Sequence, residues 1–89
     1  MTERTATIAS RVGLHARPAS IFIEAVKRQG VKVTISKDGS TPLDASSILS
    51  IMSLGAANGD TVTLAAEGPE ADAALAELVA VLETDHDAE

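Results

Sequence analysis

The chain has 89 residues, of which 45 % are hydrophobic, and contains one aromatic residue and no cysteine. A chain of this length can enclose only one hydrophobic core, so we expect a single domain over residues 1–89. The lack of cysteine excludes disulfides, thiol nucleophiles and cysteine-ligated zinc, and it makes the cytoplasm the expected compartment. We expect neither export nor membrane insertion, since the sequence has no signal-peptide core and no run near the roughly 20 apolar residues of a membrane helix.

The formal charge of −6 is divided unevenly along the chain. Seven basic and two acidic residues give +5 up to Lys37, whereas the rest has eleven acidic and no basic residues, giving −11. An acidic chain with one aromatic side chain lacks the basic surface and stacking rings that nucleic-acid binding uses. We therefore expect anionic groups or acidic proteins to bind the N-terminal half, and no nucleic acid.

The spacing of apolar residues predicts strands and helices in the order βαββαβα. Alternating polar and apolar residues indicate strands, and apolar residues three and four positions apart indicate helices. The expected strands lie at 5–9, 31–37, a short segment after Pro42, and 60–67; the expected helices lie at 16–29, within 44–55, and within 68–83. Asp38-Gly39 indicates a tight turn before the short strand, and the polar tail from Thr84 is expected to fray.

One face of each predicted strand is apolar, which suits a sheet covered by helices on one side. We expect an α+β fold, an open-faced two-layer sandwich with a mainly antiparallel four-stranded sheet and three helices on one face. The residues expected to face inward are Ala6, Ile8, Val31, Val33, Ile35, Val62, Leu64 and Ala66 in the strands, and Ala19, Phe22, Ile23, Val26, Ile48, Ile51, Ala71, Leu75, Leu78, Val79 and Leu82 in the helices.

The segment VGLHARPAS, residues 12–20, places a histidine at the start of the first predicted helix. Proline is favoured in the first helical turn, so the helix should begin within a residue or two of His15. The first N–H groups of a helix, here those of Ala16 and Arg17, point outward and stabilise an anion. The guanidinium of Arg17 matches phosphate oxygens in geometry. Both groups favour the neutral, nucleophilic imidazole, so the segment predicts a nucleophile beside an anion site.

A histidine at this position also fits a helix cap or an ordinary surface residue. A metal site is disfavoured because the only other histidine, His86, lies in the polar tail and cysteine is absent. No Ser-His-Asp pattern can be recognised in the sequence either. We expect neither a metal nor another cofactor.

The run GLHARPAS resembles the active-site motif of HPr, the histidine-containing phosphocarrier family of the bacterial phosphoenolpyruvate-dependent sugar phosphotransferase system. The similarity continues through SSILSIMSLGAANGD and the strand and helix that follow. It implies that His15 takes a phosphoryl group on Nδ1 from phosphorylated enzyme I and passes it to the IIA domains of sugar permeases. It implies that Arg17 binds the phosphoryl oxygens. The protein would then be a monomeric carrier and not an enzyme that turns over a substrate.

Ser47 precedes the second predicted helix, where a serine serves as an N-cap. The resemblance implies that this serine is the target of a regulatory serine kinase. The phosphate added to the serine would carry a charge of about −2 and repel acidic partners. The connection before it is one residue longer than is usual in the family, and Ser46 stands where relatives often have lysine. Ser46 is therefore a competing acceptor.

A partner-docking surface is expected around the motif, because a small exposed apolar patch with a basic rim suits acidic partners. Its members are Leu14, Arg17, Lys27, Leu49 and Met52. One alternative is a non-catalytic regulatory module of the same fold that binds proteins while His15 is unused. A ferredoxin-like domain that binds small molecules shares much of the element order, although nothing in the sequence marks its pocket.

Overall fold

The computed structural model describes residues 2–9, 13, 16–37 and 41–84, apart from the side chain of residue 16. Within them the elements follow the predicted order βαββαβα. Their bounds are β1 Thr2–Thr7, α1 Ala16–Gln29, β2 Val33–Lys37, β3 Leu43–Asp44, α2 Ile48–Leu54, β4 Thr61–Ala66 and α3 Ala71–Leu82.

The four strands form one antiparallel sheet in the order β1-β4-β2-β3. Its register pairs Ala6 with Val62 and Leu64 with Ile35, and all four side chains are buried. Because neighbouring residues of a strand point to opposite faces, polar residues such as Thr63 lie on the other side of the sheet. One face is therefore apolar and covered, and the other is polar and open.

The helices pack on the apolar face and on one another. α3 contacts β1, β4 and α1, while α2 contacts α1 and β3. The largest fully buried side chains are Phe22, Ile8, Ile35, Ile51, Leu64, Leu75, Leu78, Val33 and Val62. The expected open-faced two-layer α+β sandwich is confirmed.

Most sequence-predicted bounds hold to within two residues, but those of β1 do not. β1 spans Thr2–Thr7 and not residues 5–9, because its ladder with β4 runs from Thr2 opposite Ala66 to Thr7 opposite Thr61. β3 has only two residues and lies at the sheet edge, as expected after a proline.

The second correction concerns α2. Ile48 and Ile51 were both expected to face the core, yet only Ile51 is buried, with 0 % of its surface exposed, while Ile48 is 46 % exposed. A short helix that touches its neighbours along one side can bury only a narrow stripe. The predicted turn at Asp38-Gly39 and the tail from residue 85 onward lie outside the described residues. No helix within the described ranges is both long and apolar enough to cross a membrane.

Candidate functional site

The predicted anion site lies at the start of α1. The helix begins at Ala16, Pro18 is buried in its first turn and Arg17 is exposed. Proline fits this turn because a first-turn residue needs no N–H donor for the helix. The N–H groups of Ala16 and Arg17 thus belong to the positive end of the helix. His15 and Leu14 lie outside the described residues.

Gly13 fixes the approach of the chain to this helix end. It is buried, and its φ of +81° lies in the left-handed region that favours glycine. A methyl group at this position would lie 2.7 Å from the carbonyl oxygen of Ala56 and 3.1 Å from Cα of Ala57. The backbone of Gly13 therefore rests directly on the segment that follows α2.

α2 begins and ends with residues suited to those positions. The hydroxyl of Ser47 accepts the N–H of Ser50 at 3.4 Å as an N-cap, and Gly55 ends the helix in a left-handed conformation. On its exposed side the helix presents three large apolar residues, which we call the α2 patch: Ile48, Leu49 and Met52, with 46, 78 and 46 % of their surfaces exposed.

The α2 patch contains one residue that the sequence interpretation assigned to the core. Leu49 and Met52 were expected on the docking surface, whereas Ile48 was not. A signal for it existed, since five of the seven residues in ILSIMSL are large and apolar, more than one buried stripe can accommodate.

The two helices bring the predicted docking residues to opposite ends of one surface. Gly13, just before α1, meets Ala56, just after α2, while Lys27 in the last turn of α1 lines a groove with Asp44 and Ser46, just before α2. Lys27 therefore lies about 15 Å along the helix axis from Arg17, at 1.5 Å per residue. The α2 patch belongs to the helix that packs beside α1, and Arg17 and Lys27 lie near the two ends of α1.

The two adjacent serines have different surroundings. Asp44 accepts the backbone N–H of Ser46 at 2.9 Å and its hydroxyl at 2.7 Å, both on Oδ1. The bond from the Ser46 N–H, followed by that from its hydroxyl, holds the pKa of Asp44 below its usual range, and the charge of Lys32 adds to this. Ser46 is thus bound to an ionised carboxylate, whereas Ser47 caps α2.

Metal binding finds no support among these residues. Within residues 2–9, 13, 16–37 and 41–84, no three His, Cys, Asp or Glu side chains converge to hold a metal ion. His86, the second histidine considered for such a site, lies outside that range.

The structure defines a small open-faced α+β sandwich whose first helix begins within the histidine motif and whose second helix exposes an apolar patch. A family model described as "PTS HPr component phosphorylation site" matches residues 2–84. The phosphocarrier protein HPr of Streptomyces coelicolor is 45 % identical over 78 residues, which cover 88 % of this chain and 84 % of the relative. The HPr-like protein Crh of Halalkalibacterium halodurans is 36 % identical over 83 residues, covering 93 % and 98 %.

The fold agrees with these sequence comparisons. The crystal structure of HPr from Thermoanaerobacter tengcongensis superposes with a TM-score of 0.85 at 38 % identity, covering 93 % of this chain and 92 % of that one. The chain belongs to the HPr family of the phosphotransferase system. It is a phosphocarrier, and its partners are proteins of that system.

Proposed function

We propose that His15 is the residue that carries the phosphoryl group, receiving it from phosphorylated enzyme I and handing it to the IIA domains of sugar permeases. The observation that carries this assignment is the start of α1 at Ala16, immediately after His15, with Arg17 exposed in the first turn. The first N–H groups of the helix and a guanidinium are then adjacent in sequence to the imidazole, where a phosphoryl group would need its charge offset.

The proposed transfer needs little beyond these groups. The bond from phosphorus to the donor breaks as the bond from phosphorus to Nδ1 of His15 forms, and the reverse exchange delivers the group to a IIA domain. The protein contributes orientation and charge stabilisation, which dominate phosphoryl transfer generally. Backbone amides and the guanidinium of Arg17 would stabilise the bound phosphoryl group moderately. This suits a carrier, because tighter binding of the phosphoryl group would slow its transfer to the next protein.

We propose that partners dock on the α2 patch, with Leu14, Arg17 and Lys27 as further contacts. Exposed clusters of large apolar side chains mark interaction sites, and the basic residues at the two ends of this surface favour acidic partners. Docking here would place a partner beside the start of α1, since Gly13 and Ala56 join the two helix ends.

Between the two serines, the contacts favour Ser47 as the target of a serine kinase. A phosphate on Ser46 would disrupt its hydroxyl bond to Asp44 and place about two negative charges next to that ionised carboxylate. A phosphate on Ser47 would lie at the start of α2, next to Ile48 of the patch. Its charge would then weaken the docking of acidic partners while the fold persists.

A non-catalytic regulatory module remains the second candidate, favoured by the similarity to the HPr-like protein Crh. We also propose that the protein acts as a monomer in the cytoplasm, the compartment in which proteins of the HPr family work.

Incubation with enzyme I and phosphoenolpyruvate tests the assignment of His15. We expect one acid-labile, alkali-stable phosphate in the parental protein and none in His15→Ala, with normal folding of the variant checked by circular dichroism. Phosphate that persists in His15→Ala would place the acceptor elsewhere. No transfer to the parental protein would favour the regulatory module.

A further inference from the structure

Asp60 holds one peptide group of the loop at residues 55–60. Its Oδ2 accepts the N–H of Ala57 at 2.9 Å and the ammonium of Lys37 at 3.1 Å. The bond from the Ala57 N–H, followed by the bond from Lys37, lowers the pKa of Asp60 below its usual range. The carboxylate is therefore ionised near neutral pH and acts as a charged acceptor for that peptide.

Lys37 ties the same loop to the sheet. It is the last residue of β2, and its Nζ also donates to the carbonyl oxygen of Gly55 at 3.1 Å. One ammonium thus contacts the carbonyl group that ends α2 and the carboxylate at the far end of the loop. The ion pair is partly shielded, with the side chains of Lys37 and Asp60 26 and 35 % exposed.

The opposite side of the loop is tied to the chain that leaves β1. Asn58 donates from Nδ2 to the carbonyl oxygen of Ala9 at 3.1 Å, and the N–H of Gly59 donates to that of Ile8 at 2.9 Å. The loop is therefore held to β1 on one side and to β2 on the other.

The peptide group that Asp60 holds is the one that supports the histidine motif. The N–H of Ala57 and the carbonyl of Ala56 belong to a single planar peptide group, so fixing the direction of one fixes the other. That carbonyl oxygen is the atom nearest to where a Cβ of Gly13 would stand. A rotation of this peptide group would move the surface on which Gly13 rests, two residues before His15.

We propose that Asp60 and Lys37 are positioning residues for phosphoryl transfer, because together they aim the Ala56 carbonyl against Gly13 and so set the path of the chain into the histidine motif. This inference rests on the proposed role of His15. Asp60 acts as the acceptor that orients the peptide group, and Lys37 keeps that acceptor in place.

The test compares steady-state phosphorylation by enzyme I across four variants. Asp60→Ala removes the acceptor, and we expect kcat to fall by about 10- to 100-fold with KM for the carrier unchanged, because misplacement of a reacting group affects the transfer step. Asp60→Asn keeps an oxygen that can accept the Ala57 N–H, so its kcat should stay within about threefold of the parental value. Lys37→Met should fall between these two. Asp72→Ala serves as the control, since it breaks an exposed ion pair with Arg4 on the β1–α3 side.

Two measurements on the unphosphorylated protein separate this inference from the role of His15. In Asp60→Ala, but not in Asp72→Ala, we expect faster hydrogen exchange at the Ala57 amide and a shifted Gly13 amide resonance. The positioning role would be overturned if Asp60→Ala folded and kept the parental kcat or the parental Gly13 resonance. It would also be overturned if Asp60→Asn transferred the phosphoryl group as slowly as Asp60→Ala. Failure of the parental protein to be phosphorylated, with both amide changes present, would instead count against the carrier function of His15 alone.

Discussion

Replacing Gly13 by alanine should destabilise the fold more than the same replacement at another glycine of similar conformation. At φ +81° an L-residue costs about 1–2 kcal/mol relative to glycine. The added methyl group would also lie 2.7 Å from the Ala56 oxygen, a contact that real Cβ atoms do not show. Relief of such overpacking costs about 1–3 kcal/mol, which brings the expected loss to about 2–5 kcal/mol.

Gly30→Ala is the matched control. Gly30 follows α1, has a φ of +72°, and a Cβ there would meet no atom within 4 Å. Only the conformational cost of about 1–2 kcal/mol should therefore apply. Urea unfolding followed by circular dichroism gives the free energy of unfolding for both variants and the parental protein, and equal slopes against urea would show that the unfolded states are comparable.

The two variants should also differ in function. The chain can relieve the contact at Gly13 by moving Gly13 away from Ala56 or by rotating the Ala56–Ala57 peptide group. Either change would disturb the position of the motif, so Gly13→Ala should slow phosphorylation by enzyme I, whereas Gly30→Ala should not. Equal losses of stability in the two variants would show that the approach of Gly13 to Ala56 is not as tight as the structure has it. A normal transfer rate in a destabilised Gly13→Ala would separate that contact from catalytic positioning.

Three further predictions concern α2 and its neighbours. Leu49→Gln should change the free energy of unfolding by no more than about 0.5 kcal/mol and raise KM toward enzyme I, because Leu49 is 78 % exposed. Ile51→Ala should instead lower the free energy of unfolding by about 2–5 kcal/mol, because Ile51 is buried. Thermal unfolding and transfer kinetics distinguish the two variants. Ser47→Ala should lower the free energy of unfolding by about 1 kcal/mol through loss of the N-cap. A serine kinase should no longer phosphorylate Ser47→Ala but should still phosphorylate Ser46→Ala, as phosphopeptide analysis would reveal. The pKa of Asp60 in the folded protein lies below its ordinary value, so the carboxylate contributes stability above pH about 4. This contribution is lost as the pH falls through the lowered folded pKa. On acidification, the free energy of unfolding should therefore decline less in Asp60→Asn than in the parental protein.

Local patterns predicted most of the fold because they depend on neighbours in sequence. The helix expected at 16–29 is α1 as observed, since its apolar spacing, its basic last turn and Gly30 all agree on the same bounds. Ile48 was misassigned for the opposite reason. Whether an apolar residue of a short helix is buried depends on how many neighbours cover it, which periodicity alone does not indicate.

The sequence also predicts which residues form the site, but it does not indicate which contacts hold the motif in place. Arg17 is predicted to be a site residue because it stands beside a proline at the start of a helix. Gly13 and Ala56 are 43 positions apart, and Lys37 and Asp60 are 23 apart, so their contacts arise only when α2 and the sheet are packed. The sequence pattern predicts Lys37 at the end of one strand and Asp60 at the start of another. Neither pattern indicates that the two side chains meet across a loop.

The helical layer also separates charge in a way that orients docking. α1 exposes Arg17, Lys27 and Arg28 against one acidic residue, Glu24, whereas α3 has no basic residue. An acidic partner is thus attracted to the α1–α2 side and repelled from α3, which raises the rate of productive encounter more than the strength of the final complex. Because the proposed central contact is the apolar α2 patch, added salt should slow association while changing dissociation little. Fast, oriented encounter with a modest contact is what a carrier needs to exchange one partner for the next.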